Sequence, residues 1–89
     1  MNGDRMKVIA YFPSNGIAVY KSTKRFSDHK YAKKYACSVM KNKAKKKGYK
    51  VLRCEGFGSK GDAHGTIEVK LPFKKRMKEF VSGKIEDIE

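Results

Sequence analysis

Along residues 26–48, FSDHKYAKKYACSVMKNKAKKKG, apolar and small side chains recur every three or four positions. Placed at roughly 100° per residue, Ala32, Tyr35, Ala36, Val39, Met40 and Ala44 share one face of a helix, while Lys30, Lys34, Lys41 and Lys45 form a narrow outer ridge. At about 1.5 Å per residue that ridge spans roughly 22 Å. Ser27 or Asp28 is placed to cap the start, and Gly48 to end the helix in a left-handed conformation. Lys45, Lys46 and Lys47 sit where the helix dipole favours cations.

On either side the period shortens to that of strands. Met6–Phe12 and Ile17–Tyr20 are apolar runs separated by the turn residues Pro13-Ser14-Asn15-Gly16, which predicts a hairpin. After Gly48, Tyr49, Val51 and Arg53 alternate with Lys50, Leu52 and Cys54, predicting a third strand with these sets on opposite faces. Four glycines between Gly56 and Gly65 predict a loop, and Thr66–Leu71 predicts a fourth strand with Ile67, Val69 and Leu71 inward. Pro72 can open a short helix from Phe73 to Val81, with Gly83 its stop. The acidic tail, residues 84–89, is expected to dock weakly or fray. The order ββαββα predicts an α+β fold: two β-hairpins in one antiparallel sheet, the long helix on one face and the other face open. Residues 1–89 suit a single small domain burying about 60 to 65% of its unfolded surface, with no room for a second.

Composition narrows the functional classes. No apolar run approaches the ~18 residues of a membrane span, and MNGDRMKVIAYF lacks the plan of a signal peptide, so a soluble, cytoplasmic protein is expected. In that setting Cys37 and Cys54 are expected to be reduced packing residues. The net charge is +13, and its distribution is uneven: the segment from Lys21 to Arg53 holds 13 of the 22 Lys and Arg but one acid, Asp28. Such localised charge repels itself, and a polyanion would relieve it. Lysine predominates, which suits phosphates better than guanine edges and points to backbone contact rather than base readout. Lys24 and Arg25 precede the helix N-terminus, whose amides can also hold a phosphate. Tyr11, Tyr20 and Tyr31 are candidates for stacking on bases.

Catalytic and metal chemistry is weakly signalled. His29, Cys37, Cys54 and His64 contain no short-spaced ligand pair, so neither zinc nor another cofactor is expected. Three local resemblances bear on function. Arg53-Cys54-Glu55-Gly56-Phe57-Gly58 resembles the RNP1 motif of RNA-recognition domains, with Glu55 in its basic position, Ser59 in its second aromatic position and a different element order. Gly58-Ser59-Lys60-Gly61 is similar to the GXXG clamp of KH domains, here between strands instead of helices. Asp62 with Glu68-Val69-Lys70 resembles the PD-(D/E)XK nuclease signature, and Lys43 to Leu71 has the flavour of Holliday-junction resolvases of that superfamily. That resemblance implies a Mg²⁺ ion on Asp62 and Glu68, with Lys70 assisting hydroxide attack on a phosphodiester. Six residues from Asp62 to Glu68 leave little room for its usual intervening strand.

The sequence is therefore expected to encode a small non-enzymatic protein that binds DNA or RNA through the phosphate backbone, as a monomer or weak homodimer. The expected contacts are Lys24, Arg25, Lys30, Lys34, Lys41, Lys45, Lys46, Lys47, Lys50 and Arg53. Two alternatives stand beside it. One is a protein similar in style to small phage accessory proteins, binding an acidic surface of a larger nucleoprotein complex to inhibit or modulate it. The other is a minimal Mg²⁺-dependent nuclease.

Overall fold

The structure, a computed structural model, describes residues 5–75 and 85–88. Strands β1 (Met6–Phe12) and β2 (Ile17–Ser22) form the first hairpin, and β3 (Lys50–Phe57) and β4 (His64–Lys70) the second. Between the hairpins lie helix α1 (His29–Tyr35), a π turn over Ala36–Met40, and helix α2 (Lys41–Lys46). All strand pairs are antiparallel, in the order β1-β2-β4-β3, so β2 and β4 join the hairpins at the sheet centre. The helical segment covers one face. This is the expected α+β fold. Residues 73–75 take helical backbone after Pro72, and the rest of the expected C-terminal helix lies outside the described residues.

Buried side chains come from both layers. Tyr20, Met6, Met40, Ile67, Leu71, Val69 and Ile88 are the largest of them, and burying each Met, Ile, Leu or Val stabilises by roughly 1.5–3 kcal/mol. The tail contributes directly. Ile88 exchanges backbone hydrogen bonds with Met6 at 2.8 and 2.9 Å, and the Val8 amide donates to Asp87 Oδ1 at 2.9 Å. Residues 85–88 thus dock against the outer edge of β1.

The helix does not keep a strict α period. Ala32, Ala36, Met40 and Ala44 are all fully buried although they follow one another every fourth residue, a spacing that would drift by about 120° over three α turns. The π turn absorbs one residue and brings them back into phase. Within this turn Ser38 Oγ donates to the Lys34 carbonyl at 2.7 Å. Val39, expected on the apolar face, is turned out and is 39% exposed.

Two other expectations are corrected. The glycine-rich stretch is not all loop: β3 runs through Gly56 to Phe57 and β4 starts at His64, with Gly56 paired to Gly65. The helix rests directly on these glycines. A Cβ on Gly56 would collide with the His29 carbonyl oxygen and lie 2.7 Å from the Lys33 nitrogen. In β3, the register shifts between Val51 and Arg53, a bulge at Leu52. Strict alternation would put Val51 and Cys54 on opposite faces, but both pack against the core. Cys54 thereby reaches Cys37, and the two form a disulfide where reduced thiols were expected.

No described helix is long and apolar enough to cross a membrane.

Candidate functional site

The helix start is built by Asp28, whose carboxylate accepts from the amides of Lys30 and Tyr31 at 2.9 and 3.2 Å. The helix N-terminus is therefore already matched by a carboxylate, and those two amides are not available to a phosphate. The GXXG turn is similarly engaged. The Gly61 amide donates to the Ser27 carbonyl at 2.9 Å and the Asp62 amide to the Ser59 carbonyl at 2.9 Å. Phe26 and Ala63 exchange two further backbone hydrogen bonds, fastening the β3–β4 turn to the segment entering the helix.

On the outer side of the helical segment Lys30, Lys34, Lys45, Lys46 and Lys47 are exposed. Lys41 is half-buried, because the extra residue of the π turn rotates α2 by about 100° relative to an unbroken α-helix. The ridge is thus interrupted at its middle. Lys50 pairs with Lys70 and Arg53 with Glu68 on the sheet face away from the helix, where Arg53 also holds an ion pair with Glu55. The ten expected contacts therefore divide between two faces of the molecule.

Three of the ten converge. An open groove of about 690 Å³ beside α1 is lined by Lys24, Arg25, Lys34, Tyr31, Tyr35 and Phe26, with Ser27 and Ser38 at its margin. Phe26 and Tyr35 pack with ring centroids 5.0 Å apart, and the Lys24 ammonium stands 5.7 and 5.6 Å from the two centroids. Tyr31 projects further and is 55% exposed. Of the other candidate stacking residues, Tyr20 is fully buried, its hydroxyl donating to the Glu86 carbonyl at 3.3 Å, and Tyr11 packs against the core. Lys24, Lys30, Lys34, Lys45, Lys46 and Lys47 pair with no carboxylate among the described residues.

Arg25 connects this groove to the other side of the sheet. Its guanidinium donates to His64 Nδ1 at 3.2 Å and lies 3.5 Å from Asp62 Oδ1. Accepting at Nδ1 places the imidazole proton on Nε2. Burial first, then the neighbouring Lys21 and Arg25, holds the His64 pKa below the ordinary histidine value, against an opposing contribution from Asp62. Lys21 lies directly opposite Lys7 across the β1–β2 pair. None of Lys7, Lys21 and His64 was marked by the sequence pattern as a contact, although Lys21 opens the basic segment.

The nuclease signature does not assemble. Glu68 and Lys70 share the bare face of β4, Glu68 opposite Arg53, while Asp62 lies before the strand and is paired with Arg25. From His64 to Glu68 alone the strand advances about 13 Å. No cluster of metal-ligating side chains occurs among the described residues. The RNP1-like segment places Phe57 on the bare sheet face, 50% exposed, but on an edge strand next to Glu55. Comparison with protein-family models, with curated proteins and with solved structures finds no match to this chain.

Proposed function

We propose that this protein is a non-enzymatic nucleic-acid-binding module that grips the phosphate backbone with the cations of its helical segment and of the loop before it. The observation that carries the reading is the groove beside α1. Lys24, Arg25 and Lys34 converge there around an exposed tyrosine, and no carboxylate among the described residues lines it. The neighbouring Lys30, Lys45, Lys46 and Lys47 extend the positive surface along the helix. Unpaired lysines at this density repel each other, and phosphates would neutralise them while releasing condensed counterions.

The test is a fluorescence-anisotropy titration against duplex DNA, single-stranded DNA and duplex RNA at two salt concentrations. With five or six phosphate contacts on a duplex, a fourfold rise in salt weakens binding by roughly three orders of magnitude. Replacing the exposed Lys30, Lys34, Lys45 and Lys46 with alanine removes most of that affinity and leaves the fold intact, since alanine favours helix. Retention of affinity in a folded variant refutes the assignment. Salt-insensitive 1:1 binding to an acidic protein, with negligible affinity for nucleic acid, would favour a modulator of another complex instead.

A further inference from the structure

A second groove, of about 460 Å³, opens on the sheet side and is lined by Lys7, Lys21 and Arg25 together with Val8, Ile9 and the Ser22-Thr23 segment. Arg25 also lines the groove beside α1, so the two meet at that residue. Lys34, Lys24, Arg25, Lys21 and Lys7 then trace a bent path from the outer side of the helix to the sheet face the helix leaves bare. Among the described residues no carboxylate lines either groove. Asp62 approaches the path only through its pair with Arg25. The opposed Lys7–Lys21 pair is a like-charge cross-strand contact, unfavourable unless an anion lies between or beside its members.

The bend selects the kind of polyanion. The two grooves open on different sides of a molecule that measures 39 × 27 × 20 Å, so a ligand following the path must turn from one side to the other. Duplex DNA, with a persistence length of about 150 base pairs, stays nearly straight over that distance and can touch only one limb. A single strand turns freely and has unpaired bases to stack. Tyr31 lines the first limb together with Lys34, Lys24 and Arg25 and is exposed. We infer that the ligand is single-stranded nucleic acid, its phosphates on Lys34, Lys24, Arg25, Lys21 and Lys7 and one base stacked on Tyr31. This deepens the nucleic-acid reading and rests on it.

The experiment compares a labelled single strand of about 12 nucleotides with a duplex of the same sequence, using the full chain and three variants. The unmodified chain binds the single strand more tightly. Tyr31→Ala weakens single-strand binding by about fivefold to a hundredfold, while Tyr31→Phe preserves it. Replacing Lys7 and Lys21 together with alanine weakens single-strand binding and lowers its log–log salt slope by about 1.4, leaving duplex binding unchanged. Equal affinity of the unmodified chain for both ligands overturns the inference without requiring any variant to fold. So does an unaltered single-strand affinity in the folded Lys7/Lys21 variant. In either case, loss of binding in the helix-lysine variant would leave the broader nucleic-acid reading standing. Absence of binding to both ligands overturns the two together.

Discussion

At the scale of single residues, one close contact between layers is made where there is no side chain. Gly56 and Gly65 face each other in adjacent strands, and the backbone of α1 sits on the window they leave. At Gly56 the obstacle to a methyl group is helix backbone, which cannot rotate aside as a side chain can. Gly56→Ala is therefore expected to destabilise the fold by on the order of 3 kcal/mol, because the helix must lift from the sheet. Gly48 offers the contrast: its φ is +84°, but a Cβ there meets nothing within 4 Å. Gly48→Ala should lose only the smaller preference for a left-handed residue. Urea denaturation of the two variants separates the cases, and similar midpoints would contradict the close-approach argument. From the sequence Gly56 and Gly65 read as loop, since only strand pairing distinguishes a glycine that bends the chain from one that admits a neighbour.

At the scale of elements, the helical segment carries the same lesson. Its four buried positions, Ala32, Ala36, Met40 and Ala44, face one sheet only because the π turn accommodates an additional residue. Val39 is the exposed large apolar residue of that turn. Deleting it should convert the turn to α geometry while keeping Ala32, Ala36 and the former Met40 and Ala44 on one face at spacings of four, three and four. The deletion is expected to fold cooperatively with unchanged helical circular dichroism and a melting temperature within a few degrees of the parent. A large loss would show that the π geometry itself is required, for instance to seat Cys37 against Cys54. The disulfide was hidden in the sequence for a related reason. The 17-residue separation between the cysteines says nothing of proximity, and the bulge at Leu52 decides which face Cys54 joins.

At the scale of the whole molecule, charge dominates. The net +13 is concentrated in one contiguous third of the chain, and the fold gathers part of that third around the pre-helix loop instead of spreading it evenly. Like charges held together oppose the compact state. Raising ionic strength from about 0.01 to 1 M shortens the screening length from roughly 30 to 3 Å and is expected to raise the melting temperature. A melting temperature that falls or stays level over this range in chloride salts would mean that ion pairs offset the repulsion. The ion pairs Arg5–Asp87, Arg25–Asp62 and Arg53–Glu55 each have an exposed or half-exposed partner, where such pairs contribute little.

Hydrophobic period, turn chemistry and charge are local properties of the chain, and they sufficed for the α+β class, the two hairpins, the Asp28 and Gly48 ends of the helical segment and the existence of a basic surface. Each of these depends on residues only a few positions apart. Tertiary structure alone decided the rest. Pairing register and one bulge set which side of the sheet Arg53 and Cys54 occupy, and one π turn moved Val39 and Lys41 around the helix. Docking of the β3–β4 turn onto Ser27 engaged the Gly61 amide of the GXXG segment. Lys7 and Lys21 come to flank Arg25 only when β1 and β2 pair, so the bent path of cations depends on contacts between residues distant in sequence, which local periodicity does not encode.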